Sequence, residues 1–238
     1  MRRDRLRWLT ARPIAHRGFH DWRRSRPENT LAAFVAAIQA RYAIECDLHV
    51  AADGVPVVFH DDELRRLTGE EGCVRDRTSA ELGDLRVLDT PEWIPTLDEL
   101  LTVVEGRVPL VLELKSMPGR NAGLAWGVAD RLKRYAGPAA VMSFDPELLM
   151  EVRAGDPHLP RGLTADGNWR SAPRHLRSTL RLGVDFISYA IDDLPTPMPA
   201  FARRCLRIPL ICWTVRTPAQ LKKARAWTDQ ITFEGFSP

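Results

Sequence analysis

Short apolar stretches with the two-residue period of a β-strand alternate with stretches of helical spacing along most of this chain of 238 residues. When one hairpin strand is set aside, eight apolar stretches suit parallel pairing. That count and alternation predict a (β/α)8 TIM barrel, with a doubly wound open sheet as the alternative fold. The eight predicted strands are Pro13–His16, Ala43–Val50, Val108–Lys115, Ala139–Phe144, Arg161–Thr164, Val184–Ala190, Pro209–Val215 and Gln230–Glu234.

Helical patterns fill most of the gaps between these strands. Thr96 has a glutamate three residues on, which is the spacing of a capping box. Asn29 or Thr30 can cap the helix over Leu31–Ile38, and Asn29 has a second candidate role in bracing the site. Residues 1–238 are predicted to form one domain, with a small insertion at about 61–95 after the second strand. Further helices are predicted around Ala122–Tyr135, Pro146–Ala154, Pro173–Leu182 and Pro218–Trp227.

The extra strand, Val55–His60, follows the turn signal Asp53-Gly54 and is predicted to form a hairpin with the second strand. If the loop is Ala51–Gly54, the numbers of paired residues sum to about 105 by the pairing rule for hairpins. This register places His60 opposite Glu45. The hairpin is therefore predicted to bring a histidine to an acidic strand.

Within the second strand, Glu45 and Asp47 alternate with apolar residues and so share one face. Two carboxylates about 7 Å apart on a half-buried face repel each other, and a cation between them relieves the repulsion. Glu113, near the end of another predicted strand, completes an all-oxygen ligand set that suits Mg²⁺ or Ca²⁺. The alternative is a structural ion-pair cluster of these acids with Arg17 and Lys115.

Two histidines, His16 and His60, each end an apolar strand near these acids. Histidine titrates near neutral pH, so such a pair can act as general base and general acid. Arg17 has the planar fork that binds phosphate oxygens in pairs, and Gly18 permits a positive φ or close approach of the backbone. Asp61 is predicted to orient His60 or to cap the following turn, and not to bind metal. The histidines at positions 20, 158 and 175 are predicted to be solvated.

These residues belong to an ordered series of motifs spanning nearly the whole chain. The series resembles the glycerophosphodiester phosphodiesterase family. Its segments are His16-Arg17-Gly18, Pro27-Glu28-Asn29-Thr30, Glu45-x-Asp47, Asp53-Gly54-x-Pro56-Val57-Val58-x-His60-Asp61, Leu67-Thr68-Gly69, Ile94-Pro95-Thr96-Leu97-x-Glu99, Glu113-Leu114-Lys115, Ser143-Phe144, Arg161-Gly162-Leu163 and Trp213-Thr214-Val215.

The resemblance implies a metal-dependent barrel enzyme that hydrolyses small glycerophosphodiesters to glycerol 3-phosphate and an alcohol. It implies that a divalent ion, Mg²⁺ or Ca²⁺, is the cofactor. The implied roles are metal binding for Glu45, Asp47 and Glu113, acid–base catalysis for His16 and His60, phosphate contact for Arg17 and Lys115, and substrate stacking for Trp213.

Three segments depart from the family pattern. The loop between Gly18 and Pro27 is rich in arginine and tryptophan, the insertion Asp62–Trp93 is compact, and the C-terminal segment has a different motif. Residues 229–238 begin Asp-Gln-Ile-Thr-Phe-Glu-Gly, where the family usually has Gly-x-Asp-Gly-Ile-x-Thr-Asp. The change concerns the final barrel closure and one side of the pocket. We expect it to leave the metal and histidine residues untouched.

Two other functions use the same residues. A phospholipase D-like relative would act on lysophospholipids or sphingolipids, and it would need an exposed apolar lip, which the sequence does not make evident. A non-catalytic module would bind metal and phosphate, but it would not need a matched pair of histidines. Comparing the hydrolysis of a soluble diester with that of a long-chain lysolipid distinguishes the first alternative from the diesterase. Binding of metal and phosphate without turnover would support the second alternative.

Composition restricts the partners. The formal net charge of +3 is too weak and too dispersed to indicate nucleic acid. No apolar run approaches the ~18 residues of a membrane span. Cys46 and Cys212 lie in apolar strand patterns and are predicted to be reduced and buried, so a cytoplasmic location is predicted. The sequence does not predict an oligomeric state.

Overall fold

Eight parallel strands close into a barrel in the computed structural model, which describes residues 5–117 and 123–238. The strands are β1 (Ile14–Ala15), β2 (Ala43–Val50), β3 (Pro56–Val58), β4 (Leu110–Leu114), β5 (Ala139–Ser143), β6 (Arg161–Ala165), β7 (Phe186–Ala190), β8 (Leu210–Val215) and β9 (Gln230–Phe233). Around the barrel their order is β1, β9, β8, β7, β6, β5, β4 and β2, and β2 pairs back with β1. Only β3 is antiparallel. The predicted TIM barrel is confirmed.

Helices separate most of the strands, as the sequence predicts. They are α1 (Arg7–Thr10), α2 (Leu31–Gln39), α3 (Arg65–Thr68), α4 (Ser79–Gly83), α5 (Leu97–Val104), α6 (Leu124–Lys133), α7 (Pro146–Gly155), α8 (Ala172–Leu182), α9 (Pro197–Arg204) and α10 (Pro218–Trp227). The predicted first residue of α6, Ala122, lies outside the described residues. None of the helices in residues 5–117 and 123–238 combines the length and apolar character needed to cross a membrane.

The inward face of the barrel changes character along the strands. Near the strand starts it is apolar, and α1 closes this end with Leu6 and Leu9. These two leucines pack with inward-facing residues of six strands, namely Ile14, Ala43, Val111, Ala140, Met142, Phe186 and Ile211. Two or four positions further on, the same faces carry charge, as when Glu113 follows Val111 and Asp47 follows Ala43. The apolar layer thus supports a charged mouth at the strand ends.

The register of the hairpin differs from the prediction. Leu48 pairs with Val58 and His49 with Val57, so paired numbers sum to 106 rather than 105. The turn is closed by the N–H of Ala51, which donates to the carbonyl of Val55 at 2.9 Å. At the other end, β3 ends at Val58, and the N–H of Phe59 still donates to the carbonyl of Asp47 at 3.0 Å. The predicted pairing of Glu45 with His60 was therefore wrong. His60 instead reaches the mouth as the second residue beyond β3.

The insertion after β3 is ordered. It contains α3, α4 and a 3₁₀ turn at Val74–Asp76, and its apolar residues form a small cluster of their own. That cluster contains Ala51, Val57, Phe59, Leu64, Leu67, Val74, Leu82, Val87 and Ile94. It anchors the segment that carries His60 and Asp61.

A glycine in β6 gives a test of the inner packing. A Cβ added to Gly162 would lie 2.3 Å from Cε2 of Phe186, a ring that is fully buried. Gly162→Ala is expected to lower the free energy of unfolding by about 1–3 kcal/mol through overpacking. Denaturant titration measures this change. Adding Phe186→Leu should recover part of the loss, and Gly83→Ala, where the new Cβ meets nothing within 4 Å, is the control.

Candidate active site

Three buried carboxylates lie side by side at the mouth of the barrel. Asp47 and Glu113 are direct neighbours in the register of β2 and β4, and Glu45 is two residues before Asp47. The three residues are at most 7% exposed, and one oxygen of each lies within 4.8 Å of the others. Oxygen donors at this spacing fit a hard divalent cation such as Mg²⁺ or Ca²⁺. The cluster can therefore hold a metal ion.

The electrostatics of the cluster favour such a cation. Burial raises the pKa of Glu45 well above its ordinary value, and repulsion from Asp47 and Glu113 adds to the rise. Burial also raises the pKa of Glu113, although Lys115 opposes this. Burial acts in the same direction on Asp47, but Lys115 and Arg17 outweigh it and lower that pKa to about 2. A second ionised carboxylate is thus unfavourable here without added positive charge.

Two basic side chains already touch the cluster. Nζ of Lys115 lies 3.0 Å from Oε1 of Glu113 and 3.4 Å from Oδ1 of Asp47. Nε of Arg17 lies 3.4 Å from Oδ2 of Asp47, while its Nη1 donates to Glu28 at 2.7 Å. These contacts are those expected of the structural ion-pair alternative. They also place both cations beside the cavity, where they can reach a phosphate.

The loop after β1 is tied tightly to β2. Arg17 and Asn29 both adopt positive φ, at 55° and 56°. The backbone N–H of Arg17 donates to Oε2 of Glu45, and the N–H of Asn29 donates to the carbonyl of Arg17, both at 2.9 Å. Nδ2 of Asn29 also donates to Oδ2 of Asp47 at 2.9 Å. Asn29 therefore braces the cluster, and its side chain does not cap α2. Gly18 has a φ of 80°, and a Cβ there would meet Ala33 at 2.9 Å.

His16 stands between two acids. Its Nδ1 lies 2.5 Å from Oε2 of Glu234, and its Nε2 lies 3.9 Å from Oε2 of Glu45. An ionised carboxylate only accepts hydrogen bonds, so Nδ1 carries the proton and Nε2 is left facing the cluster. Burial lowers the pKa of His16, and the bond to Glu234 only partly opposes this. Burial thus favours the neutral form of His16, whose Nε2 faces the carboxylate cluster.

His60 is held in the same way. Its Nδ1 lies 2.6 Å from Oδ1 of Asp61, as predicted for an orienting aspartate. Arg66, on α3 of the insertion, donates to Oδ2 of Asp61 and, at 2.7 Å, to Oε1 of Glu28. Arg66 therefore links the support of His60 to the carboxylate that binds Arg17. The sequence analysis did not single out Arg66, because nothing in the pattern of the insertion indicates where its side chains point.

Glu234 is the main residue of the site that the sequence analysis missed. It follows β9 directly and contacts His16, lies 3.7 Å from Nε2 of His20, and accepts a hydrogen bond from Nε of Arg216. Burial would raise the pKa of Glu234, but bonds to these three side chains lower it far below its ordinary value. The expectation that the atypical C-terminal segment leaves the histidine residues untouched was wrong. An acid at the end of the last strand was the available signal.

Two of the three histidines that were predicted to be solvated are not. His20 is half-buried beside Glu234, and His175 is buried on α8, so neither is solvated as predicted. His158 is exposed, in agreement with the prediction. His49 is buried, and its Nε2 lies 3.1 Å from the carbonyl oxygen of His60, which is a structural contact.

A cavity of about 270 Å³ joins all eight predicted site residues, namely His16, Arg17, Glu45, Asp47, His60, Glu113, Lys115 and Trp213. Trp213 forms one wall, where its ring meets the ring of Phe144 edge-on at 5.6 Å. Asp192 and Arg216 also line the cavity. The structure thus brings the predicted residues together, while their individual roles stay predictions.

The fold and the site place the protein among (β/α)8 barrels whose mouth carries an acidic cluster that can hold a metal ion, together with two histidines and two basic side chains. The chain matches the glycerophosphoryl diester phosphodiesterase family over residues 16–230. It therefore belongs to that family.

Individual relatives agree with this assignment. The chain is 29% identical to a candidate glycerophosphodiester phosphodiesterase of Bacillus subtilis, over 90% of this chain and 89% of the relative. It is 34% identical to the glycerophosphodiester phosphodiesterase of Caldanaerobacter subterraneus, over 63% of this chain and 65% of the relative. A phosphodiesterase of Oleispira antarctica, solved with the product sn-glycerol 3-phosphate, superposes with a TM-score of 0.80 at 25% identity, covering 95% of this chain and 94% of that one.

The contact between Glu234 and His16 can be tested. Glu234→Gln keeps the size of the side chain but removes the charge that fixes the tautomer of His16. We expect kcat to fall about 10–100-fold, as is typical for a residue that orients an active-site histidine. Steady-state kinetics measure the change, and Glu234→Asp should retain more activity than Glu234→Gln. Equal losses in the two variants would contradict a role that depends on charge.

Proposed function

We propose that this protein hydrolyses glycerophosphodiesters to glycerol 3-phosphate and an alcohol by acid–base catalysis between His16 and His60. One observation carries the proposal: both histidines have Nδ1 fixed by a carboxylate and line the same cavity as the three metal-binding acids. A cluster that only binds metal and phosphate would have no use for two histidines supported in this matched way.

The roles follow from the contacts. When bound by Glu45, Asp47 and Glu113, a divalent cation supplies positive charge against the phosphate oxygens in the transition state. Arg17 and Lys115 exchange part of their contact with Asp47 for the phosphate and add to that stabilisation. Trp213 forms the wall against which the head group packs. Asn29 holds Asp47 in place throughout.

The proton transfers are assigned by the state of His16. Because burial lowers the pKa of His16, its Nε2 is available as the base that takes the proton of the attacking hydroxyl. The oxygen attacks phosphorus as the bond to the leaving alcohol breaks. In its doubly protonated form, His60 gives its Nε2 proton to the departing alkoxide and keeps the Nδ1 proton that is bound to Asp61. The attacking oxygen is water or a neighbouring hydroxyl of the substrate, and detection of a cyclic phosphate intermediate distinguishes the two.

The size of the cavity favours a small substrate inside the barrel over a long-chain lipid. About 270 Å³ accommodates glycerol phosphate and leaves the leaving alcohol near the opening. The superposed Oleispira protein carries glycerol 3-phosphate as its product, which agrees with this size.

The four cysteines are unpaired, and Cys46 and Cys212 are buried, which supports the proposed cytoplasmic location.

The first experiment is release of glycerol 3-phosphate from glycerophosphocholine and glycerophosphoethanolamine, measured with EDTA and then with Mg²⁺ or Ca²⁺ added back. Release that requires metal supports the proposal and identifies the better ion. No release with either metal would overturn it. A long-chain lysolipid would be tested next, and tight metal and phosphate binding without turnover would favour the binding module.

A further inference from the structure

Two exposed tryptophans stand out at the mouth of the barrel. Trp22 is 71% exposed and Trp169 is 66% exposed. Trp22 lies in the segment that follows β1, and Trp169 in the segment that follows β6, so both project from the end of the barrel that holds the cavity. Neither lines that cavity. Their exposure therefore has no explanation in the catalytic site.

The two tryptophans lie on opposite sides of the mouth. In the closed strand order, β1 and β6 are separated by β9, β8 and β7 in one direction and by β2, β4 and β5 in the other. Phe144, which follows β5, adds a third ring that is 45% exposed. All three rings thus lie in segments that follow the carboxyl ends of barrel strands.

The ring of each tryptophan is in contact with the guanidinium group of the next residue, an arginine. The guanidinium carbon of Arg23 lies 5.5 Å from the ring centre of Trp22, and that of Arg170 lies 5.6 Å from the ring centre of Trp169. Neither arginine has a carboxylate partner among residues 5–117 and 123–238. Residues 20–26 contain three arginines and one aspartate, and that aspartate is already paired with Arg24 at 3.3 Å. The rim thus offers unpaired positive charge beside exposed rings.

We propose that the barrel mouth docks on an anionic lipid bilayer through the pairs Trp22–Arg23 and Trp169–Arg170. Tryptophan is the side chain best suited to the interface between headgroups and acyl chains, and arginine beside it binds anionic headgroups. A strand of nucleic acid needs a continuous basic track, whereas acids, including Asp192, line the cavity between these two pairs. Docking in this orientation would place the opening of the cavity at the headgroup layer of the bilayer.

Vesicle sedimentation tests the proposal with the intact protein. We expect binding to vesicles of phosphatidylcholine mixed with phosphatidylglycerol, much weaker binding to phosphatidylcholine alone, and weakening by salt. Trp22→Ala with Trp169→Ala should lower the partition coefficient at least about tenfold, and Arg23→Glu with Arg170→Glu by a similar factor. Hydrolysis of soluble glycerophosphocholine should be unchanged in both double variants.

Matched controls come from exposed side chains that belong to neither pair. Trp126 is 51% exposed on α6 and packs beside Gly155 of α7. Trp126→Ala, and the double reversal Arg153→Glu with Arg181→Glu, should leave vesicle binding unchanged. Failure of the wild-type protein to bind anionic vesicles would overturn the proposal. So would equal losses in the control variants, or tighter binding to a single-stranded oligonucleotide at equal phosphate concentration. Because vesicle binding does not depend on turnover, its outcome is independent of the proposed hydrolysis.

Discussion

Replacing His16 or His60 by alanine is expected to lower kcat by about 10²–10⁴-fold, the usual contribution of a general acid or base. Each histidine has its Nδ1 bound to a carboxylate at 2.5 or 2.6 Å, so its Nε2 is positioned for proton transfer. Steady-state release of glycerol 3-phosphate measures the loss. Near-wild-type turnover in either variant would remove that histidine from the mechanism.

The pH profile gives a second readout of the same pair. Burial lowers the pKa of His16 from its ordinary value of 6.5, so its basic form persists below that pH. We expect kcat/KM to fall only as the pH drops below about 6.5, when His16 gains a proton. A midpoint above 6.5 for this limb would contradict the assignment of His16 as the base. His158→Ala, at an exposed histidine, should change neither kcat nor the profile.

Glu45→Gln is expected to have opposite effects on metal binding and on the stability of the metal-free protein. Glutamine removes one anionic ligand, so the affinity for Mg²⁺ or Ca²⁺ should fall by at least about 100-fold. The metal-free variant should melt at a higher temperature than the metal-free wild type. The reason is that burial and two neighbouring carboxylates disfavour the charged form of Glu45.

Calorimetric titration with metal measures the affinity. Thermal unfolding with and without metal measures the stability. The wild type should be stabilised by added metal through its preferential binding to the folded state, and the variant should not. The amide oxygen of glutamine can still accept the 2.9 Å hydrogen bond from the N–H of Arg17, so the loop after β1 should stay in place. Glu81→Gln, on the surface of the insertion, is the control. A variant that bound metal like the wild type would exclude Glu45 as a ligand.

The sequence predicts the barrel well because its strands are short, apolar and separated by helical patterns. It does not predict α9, whose first turn contains Pro197 and Pro199, although proline is compatible with a first helical turn. The hairpin register was wrong by one because the composition of a loop does not determine how many of its residues stay unpaired.

The site residues were predictable where charged side chains or histidines occupy one face or the end of a strand. Alternation identifies Glu45 and Asp47, and strand ends identify His16 and Glu113. By contrast, Glu234 lies 218 positions from its partner His16, and no local pattern indicates that contact. Arg66 reaches the site from an insertion whose path is set by its own apolar cluster. Such long-range contacts depend on closure of the barrel.

His16 and Glu234 are 218 residues apart, so the contact between them can form only late in synthesis of the chain. During translation, β1 emerges first and β9 is the last barrel strand to leave the ribosome. Until β9 is inserted between β1 and β8, His16 has no carboxylate on its Nδ1 and the barrel has an open seam. A nascent chain therefore holds the three clustered acids before it holds the pair of His16 and Glu234, and the proposed hydrolytic activity would arrive with the final strand.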